Sequence, residues 1–599
     1  MRKGQASRDR NVSRPRRVAW ALLLLATTIG VWCWVYGRTS LDAWKTPICY
    51  QGDCLFYLAY AKAFADGEIL PLLPKYVEQL NSPFTANWND FPVFQDATLA
   101  AMGWLSRLTG LFAAANFMVL LAHILAALSF WWVGLRLKYS PPLVFSAALL
   151  FAFPEYIFFR NLAHINLSFY WHVPLTLLVS WWALSRDRLL SDRASWRISL
   201  VVCFVTGTLN PYYSAIFLHF LVFAVLLHSS RRQWEAAKLP LLLGCVVVLG
   251  ALAVNADTLL TRIVAGSNER AILRSLAHLE VFGLKITELF VPPPDHRWQA
   301  LGAFAQRNYY APAYIKGNLG SVYLGVIGLI GFLWLMGSSL YRLLQGKLRA
   351  IPVQAFQVLW IVLYATIGGI NALLGVFGFV LLRGTNCYSI VILCISLLFL
   401  TRQLTRRCPR RLVYPAALAL LAVGLFDQLP QPTSANYIAS VGRAVASDRA
   451  LVEQLESAVP IGTRVFQLPV MDHPEAPSIY QMRPYAHLRP YLFSTHLRFS
   501  HGSHKGRPRE RWQREVAELS TARMAAALER YGFGALYVNR NGYPQRAAGL
   551  LDELAASGRP ILAESPLGDL VVVALSPSAT PILPEQRPAL AKGRGTGGI

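Results

Sequence analysis

Long apolar runs, separated by short polar segments, recur through the first 426 residues of the chain. A transmembrane helix needs about 20 apolar residues, and the shorter runs reach this length when their flanks are included. The pattern therefore predicts an α-helical polytopic membrane protein with about 11 transmembrane helices over residues 18–426. The eleven runs are Val18–Tyr36, Ala113–Leu135, Leu143–Phe159, Leu167–Leu184, Ile198–Leu209, Tyr212–Leu227, Leu239–Val254, Leu319–Met336, Val353–Ile370, Cys387–Phe399 and Leu412–Phe426.

After residue 426 the pattern changes to alternating short helices and strands. This order predicts a soluble α/β domain with a partly parallel sheet over residues 427–576. The segment 577–599 is rich in Pro, Gly and Ala and is predicted to be disordered. The helical pieces are Ser447–Ala458, Thr521–Tyr531 and Ala547–Ser557, and the strand pieces are Thr463–Leu468, Ala535–Val538 and Leu570–Leu575.

The net charge of +25 is concentrated in the tail 1–17 and in alternate loops between the apolar runs. The positive-inside rule places that tail and those loops in the cytoplasm, which puts the long first outer loop 37–92 and the C-terminal domain outside. Because the charge lies in short loops between spans, we do not expect nucleic-acid binding. No phosphate-binding glycine motif follows a predicted strand, so nucleotide binding is not expected either.

The first outer loop contains the stretch Pro47–Gly67, in which Asp53 precedes an amphipathic helix. Asp53 has two interpretations. It is either a helix cap, which suits a carboxylate at a helix N-terminus, or an acid that faces a lipid-borne substrate. Cys49 and Cys54 flank it, and a disulfide and two free thiols are both open.

Charged side chains at a membrane rim are costly to place and are therefore candidates for function. The apolar segment Ala372–Leu382 is too short to cross and return, so we interpret it as a re-entrant or interfacial segment that delivers Arg383 to the outer rim. In the C-terminal domain, His473 and Glu475 follow a strand and indicate either a binding edge or ordinary loop packing. The topology brings eight charged or titratable residues to the outer rim: Asp53, Glu155, Arg160, His164, Asp295, His296, Arg297 and Arg383.

Several stretches resemble the GT-C class of glycosyltransferases, polytopic enzymes that use polyprenyl-phosphate-linked sugars. The resemblance covers roughly residues 18–400 and is greatest to uncharacterised bacterial members with a C-terminal extracytoplasmic domain. It rests on GDCLFYLAYAKAFADG (52–67), HINLSFYWHVPL (164–175), LNPYYSAIF (209–217), ELFVPPPDHRW (288–298), VYLGVIGL (322–329), LLRGTNCYSIVIL (381–393), VFQLPVMDHPE (465–475) and RPYLFSTHLRFSHGSHKGR (489–507).

The resemblance implies transfer of a sugar to a glycan, lipid or protein acceptor at the outer face of a bacterial inner membrane. Asp53 would be the catalytic base or the acceptor anchor, and Arg383 would hold the lipid phosphate. Arg160, His296 and Arg297 would be further phosphate partners, and His473 and Glu475 would lie on the acceptor side. Glu155 and His164 would bind a divalent metal, Mg²⁺ or Mn²⁺, although no Asp-x-Asp pair supports metal dependence.

Two other functions remain open at this point. A transporter or flippase of lipid-linked glycans would need ionisable groups along its spans, and the predicted spans contain only His123, His172 and His219 in their interiors. A non-catalytic protein of envelope assembly would fit the missing Asp-x-Asp pair.

Overall fold

The computed structural model describes residues 14–91, 94–185, 188–313, 322–502 and 505–585. The tail before Arg14 and most of the segment predicted to be disordered, from residue 586 onward, lie outside these ranges. The chain divides into two compact units. We call residues 14–39, 117–253 and 274–433 the membrane unit, and residues 40–116, 254–273 and 434–585 the loop–sheet unit.

The membrane unit contains the predicted apolar spans as helices, so the multi-pass helical architecture is confirmed. In the described part of the chain, eight helices are long and apolar enough to cross a membrane, and the count of eleven stays a prediction. The eight are Pro15–Val35, Leu111–Arg136, Pro141–Arg160, Pro211–Ser230, Trp234–Val254, Gly325–Leu344, Thr385–Arg407 and Arg410–Gln428. Shorter helices are Ile165–Ser168, Val173–Ala183, Arg188–Ser191, Arg193–Thr208, Leu276–Val281, Gln299–Ala305, Val353–Ala365 and Ile370–Val376.

Proline and glycine explain where the helices depart from the apolar runs. The span Pro141–Arg160 is interrupted at Pro154, which separates the helix Pro141–Ala152 from the short helix Glu155–Arg160, because proline offers no N–H to the turn before it. The run predicted to continue to Ile370 ends at Ala365, and Gly368 follows with a φ of 70°. That left-handed conformation favours glycine and does not continue a helix.

The Thr385–Arg407 helix is among the most buried of the spans. Gly331 of a neighbouring helix packs directly against its backbone, since a Cβ at that position would lie 2.5 Å from the Ser396 carbonyl oxygen. Small residues allow helix backbones to approach in this way. The close contact fixes the Thr385–Arg407 helix, which begins two residues after Arg383.

The loop–sheet unit combines the first outer loop with the C-terminal domain. The loop contributes a two-residue hairpin, β1 (Tyr76–Val77) and β2 (Ala86–Asn87). The C-terminal strands are β3 (Arg464–Leu468), β4 (Arg498–Phe499), β5 (Phe533–Asn539), β6 (Ile561–Glu564) and β7 (Leu570–Ala574). The helices are Leu41–Lys45, Asp53–Asp66, Asp96–Thr109, Ala256–Ala265, Ala435–Ala458, Arg511–Ala517, Thr521–Arg530 and Ala548–Ala556.

The five C-terminal strands form one sheet in the order β4-β3-β5-β7-β6. β3 is parallel to both β4 and β5, whereas β7 is antiparallel to β5 and β6. The partly parallel α/β sheet expected from the sequence is thus present. β4 and β6 and the Arg511–Ala517 helix were not predicted, because two to seven residues carry too little periodicity.

The first outer loop adds to the free edge of this sheet. Ser82 donates a backbone hydrogen bond to Phe499 of β4 (2.9 Å), and Phe499 donates one to Gln79 (2.7 Å). Phe84 from the loop enters the same apolar core as Phe466 of β3. The edge strand is thereby covered, and the loop that carries Asp53 becomes part of the folded C-terminal domain.

Candidate functional site

Asp53 is the first residue of the Asp53–Asp66 helix, and Gly52 occupies the N-cap position. Gly52 has a φ of 54°, and a Cβ there would meet no atom within 4 Å, so the position requires glycine for its conformation and not for space. Asp53 is half-buried and is not the N-cap residue, but as an acid in the first turn it still suits the helix N-terminus, so both interpretations stay open. Cys49 and Cys54 form a disulfide, which resolves the alternative left open by the sequence.

Two tyrosines connect Asp53 with the predicted acceptor-side residues. Burial raises the pKa of Tyr57, and the charges of Asp53 and Tyr485 raise it further. The hydroxyl of Tyr485 accepts a hydrogen bond from the backbone N–H of Glu475 (3.0 Å). The loop–sheet unit therefore gathers Asp53 and Glu475 around one pair of tyrosines.

His473 belongs to the interior of the same unit. Its ring stacks on Trp88, with ring centroids 5.9 Å apart, and lies 5.4 Å from the ring of His501. It also contacts Phe56 and Tyr485. His473 is buried, whereas Glu475 is half-buried, so Glu475 is the better placed of the two to meet an acceptor.

A second cluster of predicted residues lies in the membrane unit, at the end of the Glu155–Arg160 helix. Arg160 is 2% exposed, and its Nη2 donates to Asn386 Oδ1 at 3.4 Å. Its guanidinium also lies over the rings of Tyr156 and Phe159. Nε of Arg160 has no hydrogen-bond partner, and within the described residues no carboxylate pairs with this arginine. A buried guanidinium normally has such a partner.

Arg160 and Arg383 both lie close enough to His164 to interact with it electrostatically. Burial and the positive charges of Arg160 and Arg383 lower the pKa of His164 to about 3. His164 is therefore neutral at ordinary pH, and the two guanidinium groups supply the charge of the cluster. We call Arg160, His164 and Arg383 the cationic cluster.

The segment before the Thr385–Arg407 helix holds Arg383 in place. The Arg383 guanidinium lies 4.9 Å from the ring centroid of Phe282. The next residue, Gly384, donates its N–H to the hydroxyl of Tyr212 (3.0 Å), and Asn371 donates to the carbonyl of Leu382 (2.9 Å). These bonds fix the backbone on both sides of Arg383.

The other predicted phosphate partners have different surroundings. His296 Nε2 lies 3.3 Å from Asp427 Oδ1, and the hydrogen bond with this carboxylate raises the pKa of His296. Arg297 donates to the Pro430 carbonyl (2.9 Å) and lies over the ring of Trp34. Neither contact involves the cationic cluster.

Glu155 and His164, the predicted metal ligands, have different electrostatic surroundings. Glu155 is buried and interacts electrostatically with Asp295 and Asp427, whereas His164 lies beside two arginines that would repel a cation. Among the residues that the structure describes, no group of three or more His, Cys, Asp or Glu side chains is placed to hold a metal ion. Metal dependence itself stays a prediction.

The sequence interpretation missed several residues around the cationic cluster. Asn386 accepts a hydrogen bond from Arg160, and the Tyr213 hydroxyl donates to that of Tyr156 (3.1 Å). Arg274 interacts electrostatically with Tyr212, as Arg383 does. Asn386 follows Arg383 by three residues in the same motif, so its position in the sequence was a signal for it. For the others, sequence spacing gives no signal.

No protein-family model matches the sequence, and no curated protein matches it. Among solved structures, the chain is similar to ArnT from Cupriavidus metallidurans bound to undecaprenyl phosphate, with 12% identity over 95% of this chain and 100% of that one, and a TM-score of 0.48. It is similar to the Archaeoglobus fulgidus oligosaccharyltransferase, with 12% identity over 87% of this chain and 70% of that one, and a TM-score of 0.37. It is also similar to the mycobacterial arabinofuranosyltransferase AftD, with 12% identity over 95% of this chain and 42% of that one, and a TM-score of 0.47.

All three neighbours are GT-C glycosyltransferases, the class that the sequence resembles. At such identities and TM-scores we base the chemistry on the side chains of this chain alone.

Proposed function

We propose that the protein is a GT-C type membrane glycosyltransferase that uses a polyprenyl-phosphate-linked sugar. The observation that carries the proposal is the cationic cluster, in which the buried Arg160 has no carboxylate partner in the described structure. An anionic phosphate would supply the missing charge, and guanidinium groups bind phosphate through two parallel hydrogen bonds. The cluster lies at the end of an apolar span, where the head group of a membrane lipid is found.

Asp53 would act as the general base. As the acceptor hydroxyl attacks the anomeric carbon, a new C–O bond forms and the bond between that carbon and the phosphate oxygen breaks. The electron pair leaves with the polyprenyl phosphate, and the proton of the acceptor passes to the Asp53 carboxylate. Arg160 and Arg383 would stabilise the charge that grows on the leaving phosphate. We propose no step through a metal ion.

The acceptor would meet the loop–sheet unit near Glu475 and would be a glycan, lipid or protein. The location we propose is the outer face of a bacterial inner membrane, with the loop–sheet unit in the periplasm. The +25 charge with its excess in alternate loops supports this orientation.

The alternative functions receive less support from the spans. His123 bonds the Ala152 carbonyl (2.8 Å), and His219 accepts from Trp360 Nε1 (3.3 Å). These two of the three histidines in the predicted spans thus have a partner inside the protein, and the third, His172, is buried with its ring 5.6 Å from that of Tyr213. Such contacts do not favour a path for an ionic head group. A flippase and a non-catalytic assembly protein remain the outcomes against which the enzyme is tested.

The test is a transfer assay in proteoliposomes with a panel of polyprenyl-phosphate sugars, with and without divalent cation. Asp53→Asn should abolish transfer while donor binding persists. Asp42→Asn is the matched control, because the Asp42 side chain lies in the same loop, is 96% exposed and is 4.0 Å from Lys45 Nζ. Equal transfer by wild type and Asp53→Asn would contradict the role of Asp53. Donor binding or translocation without transfer would favour the alternatives.

A further inference from the structure

The helix Ala256–Ala265 has its polar residues inside and its apolar residues outside. Asp257, Thr258 and Thr261 are buried in the loop–sheet unit, whereas four apolar side chains on the other side are exposed. Surface helices of water-soluble domains have the opposite arrangement. The exposed fractions are 38% for Leu259, 50% for Leu260, 81% for Ile263 and 78% for Val264.

Polar contacts fix this orientation within the unit. Asp257 pairs with the buried ammonium of Lys75, which also pairs with Asp96 at 3.0 Å. At the other end, Arg507 donates to the carbonyls of Ala265 (2.6 Å) and Gly266 (3.1 Å). Rotation of the helix to bury its leucines would break a buried ion pair, which costs several kcal/mol. The apolar face therefore stays exposed unless something outside the unit covers it.

The chain itself indicates what covers it. Asn255 alone separates this helix from the end of the transmembrane helix Trp234–Val254. The last turns of that span expose Leu249 and Leu252, which is expected of a surface that faces lipid. Exposed apolar side chains thus occur on both sides of Asn255 in sequence, in the end of the span and in the helix that directly follows it.

We propose that the helix Ala256–Ala265 lies in the membrane interface, with Leu259, Leu260, Ile263 and Val264 in the boundary between head groups and acyl chains. Short amphipathic helices bind lipid in this way, with basic residues at the edge of the apolar face. Arg262 is exposed at that edge and reaches the lipid phosphates. The interface would hold the loop–sheet unit against the membrane surface, and this does not depend on the proposed enzyme activity.

Spin labels at two isoleucines of the loop–sheet unit test the proposal. Ile263→Cys carries a label on the helix, and Ile461→Cys is the matched control, since Ile461 is equally exposed, at 84%. The background is the full chain with Cys33, Cys245 and Cys408 changed to Ser and the Cys49–Cys54 disulfide kept. The protein is reconstituted in vesicles that contain an anionic phospholipid.

For the spin label at Ile263→Cys we expect the collision rate with oxygen to be several-fold greater than that with a water-soluble nickel chelate, because oxygen concentrates in lipid. At Ile461→Cys we expect the reverse. Val264→Cys provides a second label on the helix in case the first variant does not fold. Preference for the water-soluble reagent at both helix positions would overturn the proposal. Spin–spin broadening between two copies would also overturn it, because a second protein chain would then cover the face.

Discussion

The hydroxyl of Tyr50 donates a 2.6 Å hydrogen bond to the carboxylate of Asp448, which lies 398 residues further along the chain. Asp448 also receives two hydrogen bonds from Arg489, whose third nitrogen donates to Asp569 at 2.9 Å. Tyr50 precedes Asp53 by three residues and lies inside the loop closed by the Cys49–Cys54 disulfide. The C-terminal domain therefore holds the segment that presents Asp53.

Tyr50→Phe should lower the turnover number of transfer with little change in the KM for the donor. The variant keeps the ring but loses one hydrogen bond to a charged group, which is worth about 1.5–3 kcal/mol of stability. The expected cause is a less precisely placed Asp53, since small displacements of a catalytic group reduce the rate strongly. Steady-state kinetics with varied donor, alongside thermal unfolding, measure both quantities.

The Asp90–Arg507 pair provides the control for Tyr50→Phe. Arg507 donates to both carboxylate oxygens of Asp90, at 2.7 and 2.6 Å, in the same unit. Arg507→Lys should destabilise the unit to a similar extent without a selective loss of turnover. If both variants lose turnover in proportion to stability, Tyr50 has only a structural role.

Arg160→Gln should weaken binding of polyprenyl phosphate by roughly tenfold to a hundredfold, the range expected for one lost charged hydrogen bond. Arg160→Lys should fall between this variant and wild type, because lysine keeps the charge but not the planar fork. Competition with a fluorescent polyprenyl phosphate in detergent measures binding without transfer. Arg342→Gln is the control, since Arg342 lies in the last turn of a different helix and donates to the Ala350 carbonyl at 3.0 Å. Equal affinities in all four proteins would remove Arg160 from the phosphate site.

The parts of this structure that follow from local pattern were predictable. Apolar runs predicted the spans, and the strands β3, β5 and β7 agree with their predicted ranges to within two residues. The side chains that complete the candidate sites were not predictable, because their partners are distant in sequence. His296 pairs with Asp427 across 131 residues, and Arg160 bonds Asn386 across 226. The list of rim charges contains His296 and Arg160, but not the partners that they meet.

Removal of the disulfide with Cys49→Ser and Cys54→Ser should lower the free energy of unfolding by about 2 kcal/mol, from the loop-entropy estimate for a loop of this short length. Transfer activity should fall as well, because Asp53 lies between the two cysteines in sequence and beside Cys54. Mass spectrometry of the unreduced wild type checks that the bond forms. Cys203→Ser is a control among the buried thiols outside a disulfide. Unchanged stability and activity in the double variant would contradict this prediction.

Acid should destabilise the loop–sheet unit through its buried histidines. Burial lowers the pKa of His487 to about 4, although its Nε2 hydrogen bonds the Pro469 carbonyl at 2.7 Å, and burial also lowers the pKa of the neighbouring His501. His487 is therefore protonated below about pH 6.5 in the unfolded chain but only below about pH 4 in the folded protein. Stability is complete above pH 6.5 and is lost as the pH falls, by about 2 kcal/mol at pH 5 for His487 alone.

His487→Gln should reduce this pH dependence, because glutamine does not titrate and its amide can donate to the Pro469 carbonyl. We expect the difference between the melting temperatures at about pH 7.5 and about pH 5 to be smaller in this variant than in wild type. His496→Gln is the matched control, since His496 is partly exposed beside Glu456. A pH dependence that His487→Gln leaves unchanged would mean that another group, such as His501, carries the acid sensitivity of the unit.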